Sequence, residues 1–123
     1  MVLNFLVHSA CDEEVVGVLL NVISAKLRDI DIDVDRHNIG DYSIEYGIVI
    51  VVCRSPSDLY DKNLIKVLME NDHLIVEKIA LCTHNITRPL TEMDAYRIYT
   101  MDAIDAIIKD VERILDAAEK EKD

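Results

Sequence analysis

Cys11, Cys53 and Cys82, together with His8 and His84, are the side chains of this sequence best suited to hold a soft metal or to cycle between thiol and disulfide. Their linear spacing contains no Cys-x-x-Cys, so it names neither chemistry, and each cysteine also reads as a small buried residue. All five fall at or just after the end of an apolar segment. A second group stands at Arg54-Ser55-Pro56-Ser57-Asp58. Arg54 and the two hydroxyls could hold an anion at a helix start, but Asp58 brings negative charge to the same place. With Ser9, Asp12 and Thr83 the candidate binding residues are Ser9, Cys11, Asp12, Arg54, Ser55, Ser57, Asp58 and Thr83. No catalytic residue, metal set or cofactor is assigned. Ser9 beside His8 is no hydrolase signature, because the Gly-x-Ser-x-Gly elbow is absent.

The elements that would position these residues follow from hydrophobic periodicity. Tyr46 to Cys53 contains the unbroken apolar run Ile48–Val52, the mark of a strand covered on both faces. Val2 to His8 is a second such strand, apolar apart from Asn4, and Glu77 to Cys82 a third. Between Asp29 and Asp35, aspartates alternate with Ile30, Ile32 and Val34, which predicts a strand with one wet face at a sheet edge. Alternate carboxylates on a flat strand converge poorly on one cation. Arg97 to Thr100 makes a short fifth strand.

Ser9-Ala-Cys-Asp12 has capping-box spacing and predicts a helix to about Arg28, striped by Val16, Leu19, Leu20, Ile23 and Leu27. Ser55-Pro56-Ser57-Asp58 repeats the logic for a helix whose apolar side is Leu59, Leu64, Ile65, Leu68 and Met69. Arg36 to Glu45 reads as a polar connection, and Thr91 to Asp94 as the cap of a short helix at most. Ile104, Ile107, Ile108, Val111, Leu115 and Ala118 stripe a closing helix.

Strands alternating with helices predict an α/β fold with a parallel sheet, because parallel strands need crossovers. The expected form is a three-layer, doubly wound, five-stranded sheet in the order 2-1-3-4-5, the flavodoxin-like arrangement, as one domain over 1–123. That order places the three continuously apolar strands inside and the aspartate-bearing one outside. Ligands of such sheets sit beyond the carboxyl ends of strands one and three, which is where the residues named first would gather.

Phe5-Leu-Val-His-Ser-Ala-Cys-Asp-Glu-Glu14 resembles the opening box of TIR and TIR-like domains, which share that sheet. Ile39-Gly40-Asp41 looks like the family's Gly-Asp after strand two, and Val51-Val-Cys-Arg-Ser-Pro56 like its third-strand exit. Some TIR domains cleave NAD with a Glu on the helix after strand three; the corresponding place here falls near Val67. The resemblance therefore implies signalling or assembly rather than NAD cleavage. Receiver domains would need acids where His8-Ser9 and Cys53-Arg54 stand, and flavodoxins a longer phosphate loop after strand one.

The formal net charge of −11 opposes binding to nucleic acid or anionic lipid. No apolar run approaches the roughly 18 residues of a membrane span. Met1 to Val7 carries no basic residue, unlike a signal peptide, so a cytoplasmic protein with free thiols is expected. The expected function is a signalling or protein-interaction domain acting through a protein partner or self-association. The alternative is a small-ligand enzyme or redox sensor that binds a nucleotide, flavin or metal in the strand-end crevice.

Overall fold

A computed structural model describes residues 2–8, 11–27, 33–38, 44–83, 96–100 and 103–121. In chain order the elements are β1 (Val2–Val7), α1 (Glu13–Lys26), β2 (Asp33–Asn38), β3 (Gly47–Cys53), a 3-10 segment (Pro56–Tyr60) and α2 (Lys62–Glu70). A second 3-10 turn (Asp72–Leu74), β4 (Ile75–Cys82), β5 (Tyr96–Thr100) and α3 (Ile104–Glu121) complete it. The fold is α/β and its strands pair in parallel: β1 with β2 and β3, and β4 with β3 and β5.

Every residue of β1 and β3 is buried, as the continuous apolar runs predict. The pleat divides these side chains between two cores. Leu3, Phe5, Val7, Ile48, Ile50, Val52, Ile79 and Leu81 face α1 and α3, where Val16, Leu19, Ile23, Ile107 and Val111 meet them. Leu6, Val49, Val51, Cys53, Ala80 and Cys82 face α2, where Leu64, Val67 and Leu68 cover them. Each fully buried aliphatic side chain contributes about 1.5–3 kcal/mol relative to exposure, so these two layers hold the strand ends in place.

Several boundaries differ from expectation. The second strand is described over Asp33–Asn38, overlapping the expected strand at 33–35 and taking Arg36-His37-Asn38 from the expected connection. Its length is set by the ladder, which runs in register from Val2↔Asp33 to Val7↔Asn38 and joins backbone groups irrespective of side-chain polarity. Residues 28–32 lie outside the described residues, as do the expected motif at 39–41 and the short helix at 91–94. Asp12, not Ser9, is the N-cap of α1: its carboxylate accepts from the Glu14 N–H at 2.9 Å. The helix after β3 begins at Lys62 and is capped by Asp61, while Ser55 precedes the 3-10 segment without a side-chain cap. Burial on α2 follows Leu64, Val67 and Leu68; Ile65 and Met69 are exposed. Among the described residues no helix is long and apolar enough to cross a membrane.

Candidate functional site

The site is assembled where β1, β3 and β4 end. His8 continues β1 by donating its backbone N–H to Val52 O at 2.9 Å, and Cys11 N–H turns back to His8 O at 3.0 Å. The His8 ring then lies against the β3–α2 connection. Its Nε2 is 3.3 Å from Asp61 Oδ2 and its Nδ1 is 3.9 Å from Asp58 Oδ2. Asp58 Oδ2 also accepts the Arg54 backbone N–H at 2.9 Å, with the guanidinium Nε 3.8 Å away. Ser55 and Ser57 pair through their hydroxyls at 2.7 Å. Thr83 donates its backbone N–H to Cys53 O at 2.8 Å.

The expected residues are thus distributed over distinct tasks. Arg54 and Asp58 form one bonded unit and Ser55 and Ser57 another. Cys11 is buried, its Sγ directed at Val52 O at 3.5 Å, and burial pushes its thiol up from the ordinary range. Asp12 is engaged at the start of α1. Ser9 and His84 lie outside the described residues.

Asp61 is the residue the sequence reading passed over. It caps α2 through Oδ1, accepting from Asn63 N–H at 2.8 Å and Leu64 N–H at 3.3 Å, and meets His8 through Oδ2. The backbone N–H groups of Asn63 and Leu64, followed by His8, hold its carboxyl below the ordinary value of 3.8. A depressed carboxyl stabilises the fold fully above its unfolded value, and that contribution is lost as pH falls through the folded value. Asp61→Asn should therefore lower the melting temperature by a few degrees at neutral pH. The gap from the parent protein should close in acid below the usual aspartate range, as thermal melts across pH would read. The signal was present in sequence: an Asp immediately before a run with buried periodicity is an N-cap.

Cys53 and Cys82 are register partners across β3 and β4, fully buried, with their sulfurs 3.8 Å apart. The sulfurs share a hydrogen bond in which either can be the donor, and that contact together with burial pushes the Cys53 thiol up from the ordinary range. Among the described residues no three His, Cys, Asp or Glu side chains converge as a metal set. Two grooves among the described residues lie away from these strand ends. One of about 240 Å³ is lined by Tyr46, Val76, Glu77, Arg113 and Ile114, near the amino-terminal ends of β3 and β4. Another lies along the outer face of α3, beside Lys109, Glu112 and Asp116.

Electrostatically the strand ends do not invite an anion. Asp12 and Asp61 occupy the backbone donors at the starts of α1 and α2, and Asp58 takes the Arg54 N–H. These are the groups a phosphate would need. No protein-family model matches the chain, and no curated protein is significantly similar to it.

Proposed function

We propose that the chain is a single flavodoxin-like domain, TIR-like in kind, that works by protein–protein interaction rather than catalysis. The pairings of β1 to β5 support a doubly wound sheet in the order 2-1-3-4-5, with α1 and α3 on one side and α2 on the other. The place where NAD-cleaving relatives of that family carry a Glu holds Val67, which is buried against the sheet. The acidic balance of the chain favours a protein partner over nucleic acid or membrane, in a cytoplasmic setting.

The observation that carries the reading is the outer side of α2. Met69 is 74% exposed and Ile65 40%, and four-residue spacing stacks them on one helical face. Tyr60, in the preceding segment, is 68% exposed. Large apolar side chains of this kind, with Lys62 and Lys66 exposed on the same helix, suit docking against an acidic surface, such as that of a second copy. Wild-type protein should show a concentration-dependent mass in sedimentation equilibrium. Met69→Asp and Ile65→Asp should each weaken that association by about tenfold or more while leaving the fold intact by circular dichroism. A protein that is monomeric throughout and is instead stabilised by a nucleotide or flavin would displace this reading in favour of the ligand-binding alternative.

A further inference from the structure

Two thiols unused by that reading occupy the ends of adjacent interior strands. Cys53 and Cys82 are the final register pair of β3 and β4, both on the α2 side of the sheet, in a position that does not depend on what α2 docks against. Neighbouring strands lie about 4.8 Å apart, inside the roughly 4.4–6.8 Å range of Cα separations that a disulfide tolerates. The sulfurs already stand 3.8 Å apart, facing each other closely enough to share a hydrogen bond. Closing that gap needs rotation of the two side chains rather than a new strand arrangement.

We propose that Cys53 and Cys82 form a reversible dithiol–disulfide pair, oxidised by a peroxide. In the first step one sulfur of the pair attacks a peroxide oxygen. The O–O bond breaks, that cysteine becomes a sulfenic acid, and one water leaves from hydrogen peroxide. In the second step the partner sulfur attacks the oxidised sulfur, the S–O bond breaks and the hydroxyl leaves as a second water, taking the partner thiol's proton. Two thiols and one hydrogen peroxide give one disulfide and two waters, and a dithiol reductant reverses the change.

The two sulfurs are equivalent in this geometry: either can donate the shared hydrogen bond, so either can be attacked first and the other resolves it. Both sulfurs are buried, so oxidant reaches them through local opening at the strand ends. Cys11 cannot substitute without rearrangement, because it is packed in the other core, with its own sulfur bonded to Val52 O.

The test treats folded full-length protein with hydrogen peroxide, blocks residual thiols under denaturing conditions, and maps the peptides by mass spectrometry. The expected product is lighter by two hydrogens, carries a Cys53–Cys82 cross-link and one blocked cysteine, Cys11, and returns to three blocked cysteines after dithiothreitol. Cys11→Ser should behave the same way. Cys53→Ala and Cys82→Ala should each stop at a sulfenic acid on the remaining cysteine of the pair, which reacts with dimedone. Recovery of Cys53 and Cys82 as free thiols, or a cross-link through Cys11, would overturn the proposal. Since the wild-type mapping requires no variant to fold, and the α2 variants are read by mass in solution, failure of one reading leaves the other standing.

Discussion

Gly47→Ala should lower the unfolding free energy by an amount on the order of 3–4 kcal/mol, one of the largest effects a single methyl group can have in this chain. Gly47 opens β3 at φ +156°, in the region that side chains rarely adopt. A Cβ built there would lie 2.0 Å from Val2 O, 2.7 Å from Val2 N and 2.9 Å from Val2 C. All three are backbone atoms of the strand paired with it in register, so no rotamer relieves the clash. Val2 N–H also donates to Tyr46 O at 3.1 Å, which holds the two chains at this separation. Relief requires β1 to move away from β3, and β1 and β3 are buried throughout. Urea unfolding gives the number directly, with Gly17→Ala as the control. Gly17 lies in α1 with nothing within 4 Å of an added Cβ, and alanine there should be neutral or stabilising. A loss under about 1 kcal/mol at Gly47 would mean that β1 and β3 are not locked at this crossing.

That crossing also shows which parts of the fold were legible beforehand. The α/β class and the parallel sheet were, because Ile48–Val52 is continuously apolar and a strand dry on both faces needs helices on both sides. The stripe Val16, Leu19, Ile23 and Leu27 was legible for the same reason: burial follows a period of 3.6. Boundaries set by backbone pairing were not. The acidic alternation at 29–35 suggested a strand, yet the ladder extends through Arg36-His37-Asn38, residues whose side chains say little about pairing. Helix starts were misplaced in the same way twice. Ser9 and Ser55 each have an aspartate three residues on, but Asp12 and Asp61 directly precede the helices and cap them. A capping pattern admits several registers, and the first helical hydrogen bond decides among them.

The candidate site divides along similar lines. That cysteines and His8 gather at strand ends could be read from where the apolar runs stop. That Cys53 and Cys82 face each other at 3.8 Å could not, since it depends on the register of β3 against β4, which shifts between Gly47 and Ile48. A slip of one residue would send one of the sulfurs to the opposite face of the sheet. The His8–Asp61 contact joins the end of β1 to the first turn of α2 across 53 residues of chain, and only the packing of α2 on the sheet brings them together.

Asn4 is the other residue whose loss should be felt far beyond its size. It lies in the middle of β1 with no solvent exposure, and alternation puts it on the α2 side with Leu6. Its amide is fully used for a purpose no neighbouring apolar residue could serve. Nδ2 donates to Glu45 O at 2.9 Å and Ile48 O at 3.3 Å, and Oδ1 accepts from Glu45 N–H at 3.1 Å. The side chain therefore stands in for a strand partner where the chain enters β3, next to buried Ile44. Asn4→Leu keeps the branched heavy-atom outline but strands these backbone groups, with an expected loss of about 2–3 kcal/mol and faster amide exchange at Glu45. Asn4→Asp separates hydrogen bonding from packing. An ionised carboxylate would face two carbonyl oxygens in a buried position, so its folded pKa must rise above the unfolded value. The linkage sign is then fixed: the variant is least stable above the raised value and recovers as pH falls through it and the carboxyl regains a proton to donate. Urea midpoints of wild type and Asn4→Asp should converge in acid, whereas those of Asn4→Leu should keep a constant offset. If the two variants lose the same stability at every pH, Asn4 acts through packing alone and the 44–48 segment is held by something other than its amide.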